Sequence, residues 1–296
     1  MPEQATIRRD DYPGLYQAAD QASVDSQGAY LKAIRWYLAC LVIAAALSVY
    51  ADRSRWWALL AALLFLGTLG LLLLQGFRRF DRTWYNGRAV AESVKTRTWR
   101  FMMRAEPYAD AESAHVVERA FCRDLEQILK QNRNLAPHIG GDFSLGDPIT
   151  SRMKEVRGWD VPERLDLYRH ERIDEQRQWY ARKYGENRRG ERLWFWTMIT
   201  LHALAVGLLL VRVADPTSLR FPIEAVAVAA GSALTWMQVR RFQDNATAYS
   251  LAAHEIGFIR QQSASIDSEN ALSDFVKDAE NAFSREHTQW QARRDT

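Results

Sequence analysis

Four apolar runs of 18 or 19 residues constrain this chain more than any other feature of its sequence. A helix needs roughly 20 apolar residues to cross about 30 Å of hydrocarbon, so each run is long enough to span a bilayer. Fully buried helices of a soluble protein are the alternative. Four such runs flanked by arginine and tryptophan are instead typical of membrane proteins. The runs cover 34–51, 56–74, 193–211 and 221–239.

The runs form two pairs with short connections. "DRSR" joins the first two runs and "RVADPTSLR" joins the last two, whereas more than a hundred polar residues separate the pairs. Short connections favour tight turns between antiparallel helices, so the sequence predicts two transmembrane hairpins. The first run begins more than thirty residues into the chain without a small-residue cleavage site nearby. We therefore expect it to remain as a membrane anchor.

Basic residues are distributed unevenly around the hairpins. Because cytoplasmic loops carry an excess of lysine and arginine, we expect both termini and the middle region to be cytoplasmic in a multi-pass topology. The outer flanks carry Lys32, Arg35, Arg78, Arg79 and Arg82 around the first hairpin, and Arg188, Arg189, Arg192, Arg240 and Arg241 around the second. The two turns carry Arg53, Arg55, Arg212 and Arg220.

The tripeptide Arg-Arg-Phe follows the second run of each pair, and the two copies lie 162 residues apart. This repetition indicates a duplicated unit in which a cytosolic helix precedes each hairpin and another follows it. We interpret the two copies as a gating link between the cytosolic helices and the second membrane helix of each hairpin. The link residues are Arg78, Arg79, Phe80, Arg240, Arg241 and Phe242.

The remaining sequence has helical periodicity and no strand period. We predict an all-α membrane protein with two transmembrane helical hairpins, four membrane helices in total, and long cytosolic helices that form a bundle. The first unit is 1–133, with cytosolic helices at 78–106 and 110–132. A loop rich in proline and glycine covers 134–162. The second unit is 163–296, with a cytosolic helix at 163–192 and further helices at the C-terminus.

No enzyme motif is present. The sequence contains no phosphate-binding glycine loop, zinc-binding histidine pair or nucleophile elbow. Its two cysteines and six histidines have no metal-ligand spacing. We therefore predict no catalytic residue, metal or cofactor. The 39 basic and 36 acidic residues balance to +3, so overall charge does not indicate binding to duplex nucleic acid.

A basic cluster with a tryptophan at its centre lies in the first cytosolic helix. Arginine and lysine beside an aromatic ring suit a phosphate and a stacked base. Attraction to anionic lipid, or pairing with acidic helices of the same bundle, is the alternative. The candidate ligand residues are Arg88, Lys95, Arg97, Trp99, Arg100 and Arg104.

The fourth apolar run contains a stripe of polar and small residues at helical spacing. Polar side chains within a membrane usually face protein or water, and a ring of glutamates favours cations. Close packing of helices through small residues is the alternative. The candidate pore-lining residues are Glu224, Val228, Gly231, Ser232, Thr235 and Gln238. The stripe that we compare with it in the second run is more apolar: Ala61, Phe65, Thr68, Leu72 and Gln75.

"WYNGRAVAESVKTRTWRFMMRAEPY" resembles the SLATT families, the two-transmembrane effector domains associated with SMODS nucleotidyltransferases and SLOG sensor domains. "RIDEQRQWY", "AAHEIGFIR" and "FVKDAENAFSREHTQW" in the second half resemble a sister family. The chain therefore resembles two SLATT units in tandem. The residues that carry the first resemblance are Trp84, Arg88, Glu92, Ser93, Lys95, Thr96, Trp99, Arg100, Glu106, Pro107 and Tyr108.

The resemblance implies a bacterial antiphage defence system. In such a system a partner nucleotidyltransferase makes a nucleotide or short oligonucleotide signal, and the membrane protein responds as a pore or ion channel that disables the infected cell. We therefore expect a homo-oligomer, for which four chains would suffice, in the bacterial inner membrane. The alternative is a non-conducting membrane scaffold that recruits a cytosolic partner.

Overall fold

The computed structural model describes residues 6–109, 113–141, 146–215 and 222–292, with side chains described as far as Ser284. Within these ranges the protein is all-helical and has no strand, which confirms the predicted all-α class. Its α-helices, in chain order, are α1 Gly14–Ser48, α2 Arg55–Arg78, α3 Phe80–Met102, α4 Ala114–Gln131, α5 Ser151–Arg157, α6 Val161–Tyr168, α7 Glu175–Ala214, α8 Ile223–Arg240, α9 Phe242–Gln262 and α10 Glu269–Ala292.

Three helical stretches among the described residues are long and apolar enough to cross a membrane. They are Gly14–Ser48, Arg55–Met102 and Val161–Ala214. The last two contain the runs 56–74 and 193–211, whereas the first contains only 34–48 of the predicted run 34–51, because α1 ends at Ser48. The fourth run forms α8, which includes Glu224, Gln238 and Arg240 and is not among the three. The predicted start of that run, Phe221, and Arg220 of the preceding turn lie outside the described residues. Four spans in two hairpins therefore stay a prediction.

The chain forms two compact units. The membrane unit consists of Gly28–Phe80 and the described parts of Ala181–Ser250, and it contains the described residues of all four apolar runs. The bundle unit consists of the described parts of Met1–Gln27, Asp81–Tyr180 and Leu251–Thr296. The chain passes from one unit to the other four times, so neither unit corresponds to one half of the sequence.

The bundle unit has a single hydrophobic core to which both halves of the chain contribute. α3 runs through it and buries eleven of its residues. Its partners come from α4 in the first half and from α6, α9 and α10 in the second. The largest fully buried apolar side chains are Trp99, Phe101, Met102, Met103, Tyr108, Phe121, Leu135, Met153, Tyr168 and Ile173. The two halves therefore depend on each other to bury their apolar faces.

The region 134–162, which the sequence predicts to be a loop, contains the short helix α5. Thr150 caps it by accepting a hydrogen bond from the backbone N–H of Met153 at 3.2 Å. Met153 and Val156, spaced by three residues, are both fully buried. One turn of helix suffices to bury this pair, and so short a pattern was hidden among the nearby prolines and glycines.

The helix predicted at 163–192 begins slightly earlier, at Val161, where the Asp160 side chain accepts a hydrogen bond from the backbone N–H of Glu163 at 2.9 Å. It includes a π-helical turn at Arg169–Asp174 and then continues as α7. Wide turns of this kind often occur at functional sites in helices.

The membrane unit has a smaller apolar cluster. Leu31, Ile34 and Leu38 of α1 pack with Trp236 of α8 and with Phe242, the first residue of α9. Residues of α2 are absent from this cluster. Among the described residues of α2, only Ala61 and Thr68 are buried, so most of its surface is not covered by the chain.

Candidate functional site

Two arginines, Arg79 and Arg241, each occupy the single position between two helices. Their φ angles of 45° and 46° are left-handed, a conformation that costs a residue other than glycine about 1–2 kcal/mol. The backbone N–H of Arg79 donates to the carbonyl oxygen of Gln75 at 3.0 Å, and that of Arg241 donates to Met237 at 2.9 Å. The two Arg-Arg-Phe copies therefore form the same backbone joint, which ends α2 in one copy and α8 in the other.

The second joint is more tightly packed than the first. A Cβ atom added at Gly190 of α7 would lie 2.6 Å from Cε1 of Phe242, so the absence of a side chain at Gly190 lets the Phe242 ring pack against the α7 backbone. The corresponding glycine in the first half, at the same offset of 162 residues, is Gly28. A Cβ atom there would meet nothing within 4 Å.

Two of the predicted ligand residues are part of the bundle core. Trp99 is fully buried, and its ring contacts Tyr168 edge-on at a centroid distance of 5.5 Å. Arg100 is also buried, and it donates to the side-chain oxygen of Asn281 at 2.8 Å. In this conformation the Trp99 ring offers no exposed face on which a base could stack.

Arg104, another predicted ligand residue, ends α3. Its φ is 53°, its backbone N–H donates to Phe101 at 3.3 Å, and the next N–H, that of Ala105, donates to Arg100 at 2.9 Å. This pair of hydrogen bonds is a Schellman motif. The Arg104 side chain donates through Nε to the carbonyl oxygen of Arg157 at 2.8 Å. The residue therefore has a structural role at the helix end.

The other three predicted ligand residues, Arg88, Lys95 and Arg97, lie on the partly exposed side of α3, and each has an acidic partner. The ion pairs are Arg88–Glu92 at 2.7 Å, Lys95–Glu175 at 3.7 Å and Arg97–Asp124 at 3.4 Å. Burial lowers the pKa of Lys95, and the charge of Arg172 lowers it further. An anionic ligand beside Lys95 would raise its pKa again, because a nearby negative charge stabilises the protonated amine. Arg88, Lys95 and Arg97 therefore remain predicted ligand residues, but the predicted stacking of a base on Trp99 is not possible in this conformation.

A buried carboxylate, that of Glu280 in α10, binds side chains from three other helical segments. Arg172 of the π-helical turn donates to both of its oxygens, at 2.8 and 2.7 Å. Thr96 of α3 donates to it at 2.8 Å, and Tyr168 of α6 at 3.0 Å. Arg172 is 1% exposed and Glu280 0%. Because neither charge is stable when buried alone, this network fixes α3, α6 and α10 in one arrangement.

The protonation states in this network follow from its contacts. Burial raises the pKa of Tyr168, and the charge of Glu280 raises it further, so the phenol stays a hydrogen-bond donor. Burial opposes the charged form of Arg172, but the charge and hydrogen bonds of Glu280 more than offset this and raise the pKa of Arg172. The guanidinium therefore stays charged.

The sequence analysis missed this network. Val276 and Ala279 in "FVKDAENAF", and Leu272 just before it, are buried apolar residues of α10. Glu280 lies one turn after Val276 on the same buried side. A carboxylate at a core position of an amphipathic helix was therefore a readable signal, because buried carboxylates need a partner.

The predicted pore-lining residues lie mainly on the uncovered face of α8. Glu224, Gly231, Thr235 and Gln238 are exposed, and Val228 and Ser232 are half-buried. The opposite face buries Ala230, Ala233 and Trp236. The Glu224 carboxylate lies 3.9 Å from the guanidinium of Arg212, which offsets part of its negative charge.

These features define an all-α protein built around helices of membrane-spanning length. The family model described as "SMODS and SLOG-associating 2TM effector domain 3" matches residues 13–165. The model for "SMODS and SLOG-associating 2TM effector domain 1" matches residues 168–290. The chain belongs to the SLATT family and carries two of its domains in tandem. No curated protein and no solved structure matches the chain.

The two family matches meet within the helix that begins at Val161. Leu165 at the end of the first match and Tyr168 at the start of the second both belong to the bundle core. The tandem SLATT domains are therefore consecutive in sequence but share one core.

Proposed function

We propose that this protein is the membrane effector of a bacterial antiphage defence system and forms an oligomeric ion channel. Several chains, such as four, surround an axis in the inner membrane, and each contributes α8 to the pore. The chain spans the membrane four times with both termini in the cytoplasm. A nucleotide or short oligonucleotide made by a partner nucleotidyltransferase gates the pore. The effector description of both family matches supports this class of function.

The uncovered polar face of α8 is the observation that carries the proposal. Glu224, Thr235 and Gln238 are exposed on the isolated chain. Polar groups within a bilayer are costly against lipid and normally face protein or water. If several chains surround an axis, the uncovered face of each α8 borders a water-filled pore, and its edges contact the neighbouring chains.

The bundle unit is the proposed sensor, since its partly exposed cations can exchange partners. Phosphate oxygens of the signal would replace the carboxylates now paired with Arg88, Lys95 and Arg97. Breaking the Lys95–Glu175 pair would release the first residue of α7, and breaking Arg97–Asp124 would remove one contact between α3 and α4. The signal favours the open or the closed channel only through a difference in affinity for the two states.

The two joints are the proposed gating link. The left-handed arginine at each joint stores backbone strain, which is common at switching segments. A small change in φ and ψ at Arg79 or Arg241 would redirect the helix that follows. The second joint acts on α8, which carries the pore face.

Single-channel recording in planar bilayers tests the proposal. The purified chain should give discrete currents that candidate nucleotides or short oligonucleotides switch on or off. Glu224→Ala and Thr235→Val should change the conductance, whereas Leu66→Ala on the exposed surface of α2 should not. Folded oligomer that stays silent with every ligand would instead support a non-conducting scaffold that recruits a cytosolic partner.

A further inference from the structure

The membrane unit contains a cavity of ≈ 600 Å³ between α1, α7 and α8. This size lies within the range of roughly 300–1,000 Å³ that is typical of ligand pockets. Most of its lining is apolar. Leu38 and Val42 of α1, Leu201 of α7 and Ala229 of α8 form part of its wall. An apolar ligand segment would therefore fit along these helices.

Two guanidinium groups lie close to the ring of Trp236, which lines this cavity. Arg35 lies 5.0 Å and Arg240 6.0 Å from the centre of the Trp236 ring, and Arg240 also lies 5.3 Å from the Phe242 ring. All four residues line the cavity. Among the described residues, no carboxylate lies within 4.0 Å of either guanidinium. Two positive charges thus lie beside an apolar cavity, and neither forms an ion pair with a carboxylate of the described residues.

The charged and apolar parts of the cavity lie at different depths along the helices. Arg35 and Arg240 lie at the ends of apolar runs that the distribution of basic residues assigns to the cytoplasmic surface. Val42 lies two turns from Arg35, about 10 Å further along α1 by helical rise. The cavity therefore extends from the headgroup level toward the hydrocarbon layer.

We propose that this cavity binds an anionic phospholipid. The phosphate lies between Arg35 and Arg240, and an acyl chain lies against Leu38, Val42 and Leu201. Basic pockets between membrane helices on the cytoplasmic side are suited to anionic headgroups. A soluble phosphate or nucleotide would pair with the same guanidinium groups but would leave the apolar wall without a partner. The proposal rests on membrane placement and does not depend on conduction.

Tryptophan quenching by brominated lipids tests this site, because Trp194 and Trp236 both line the cavity. The full chain is reconstituted in phosphatidylcholine with small, equal fractions of acyl-brominated phosphatidylglycerol or acyl-brominated phosphatidylcholine. The anionic lipid should reach half-maximal quenching at a fraction about 30-fold lower, as expected for two basic side chains. The Arg35→Gln/Arg240→Gln double variant should lose this preference.

Two further variants separate the site from general effects of charge and folding. Arg53→Gln/Arg55→Gln removes two arginines that lie beside Tyr50 and Trp56 and should keep the preference. Ala229→Leu fills the cavity while keeping both arginines and should lose it, with the helical circular dichroism and oligomer size of the unchanged protein.

Equal quenching by the two brominated lipids in the unchanged protein would overturn the proposal. So would retention of the preference in both the Arg35→Gln/Arg240→Gln and the Ala229→Leu proteins. Millimolar inorganic phosphate and ATP serve as competitors. If either abolishes the preference at constant ionic strength, the site takes a soluble anion and the lipid assignment is wrong.

Discussion

α2 and α8 end at the same joint but differ in the surface that they leave uncovered. Counted back from the joints, Val228, Gly231 and Thr235 of α8 correspond to leucines of α2. Those leucines, Leu66, Leu69 and Leu73, are 63%, 51% and 53% exposed. α2 thus presents long apolar side chains where α8 presents small and polar ones.

This difference indicates that duplication preserved the backbone and changed the environment of the helix. Leucine-rich surfaces are stable against lipid, whereas small and polar residues favour contact with other helices or water. α8 also packs through Trp236 against α1, while residues of α2 are absent from that described cluster. In our account α2 faces lipid and α8 faces the pore.

The largest effect is expected from giving α8 the surface of α2. Thr235→Leu should reduce single-channel conductance about tenfold or more, because a ring of leucines forms a dewetted constriction. Leu73→Thr, the reverse change at the corresponding position of α2, should leave conductance within twofold. A Leu73→Thr channel that conducts poorly beside an unaffected Thr235→Leu channel would reverse the assignment of the two helices.

The second prediction concerns the core of the bundle unit, to which both halves of the chain contribute. Glu280→Gln should destabilise the bundle by about 3–5 kcal/mol, because it leaves the Arg172 guanidinium buried without a counter-charge. Thermal unfolding followed by near-ultraviolet circular dichroism measures this loss. Glu126→Gln removes the partner of Lys130 in an exposed pair and should shift the transition little. If Glu280→Gln shifted the thermal transition as little as Glu126→Gln, the buried network would contribute nothing to stability.

The third prediction separates the packing of the two joints. Gly190→Ala should destabilise the protein by about 1–3 kcal/mol, since the new Cβ displaces the Phe242 ring. Gly28→Ala has open space and should be neutral or stabilising by up to about 1 kcal/mol, as expected for alanine in a helix. Unfolding temperatures of the two variants in one detergent provide the measurement. A stabilised Gly190→Ala protein would mean that the second joint is not tightly packed.

The fourth and smallest effect tests the equivalence of the joints. Arg79→Gly and Arg79→Ala both remove the side chain, so their difference reports only the left-handed backbone. The glycine variant should be more stable by about 1 kcal/mol, the reverse of the usual order within a helix. The pair at Arg241 should show the same sign. Alanine being the better residue at either position would contradict the left-handed joint.

Much of the fold could be predicted from the sequence because it depends on local patterns. The length of the apolar runs predicted the three helical stretches that are long and apolar enough to cross a membrane, and the repeated Arg-Arg-Phe marked the positions where α2 and α8 end. The comparison of α2 with α8 was less accurate. In the sequence comparison of the two stripes, Thr68 of α2 corresponds to Gly231 of α8. Counting residues back from the joints shows instead that Leu69 corresponds to Gly231. A shift of one residue turns a helix by about 100°, which exchanges a buried face for an exposed one.

The ligand cluster shows what a local pattern could not provide. Periodicity placed Arg88, Lys95 and Trp99 on one helix, but it did not reveal that α6 covers Trp99 through Tyr168. Such burial depends on contacts between residues distant in sequence. The partners of Glu280 were hidden for the same reason, since Thr96 and Arg172 lie more than a hundred residues before it.

Cysteine accessibility along α8 and α2 tests the central claim most directly, namely that the uncovered face of α8 lines a water path. Single cysteines are introduced into a Cys40→Ala/Cys122→Ser background in proteoliposomes and treated with a membrane-impermeant thiol reagent. The account predicts modification on the uncovered face of α8, and protection on its buried face and along α2. Modification confined to α2, or none on the uncovered face of α8, would contradict it. The positions are Gly231, Thr235 and Gln238 for the uncovered face, Ala230 and Ala233 for the buried face, and Leu66, Leu69 and Leu73 for α2.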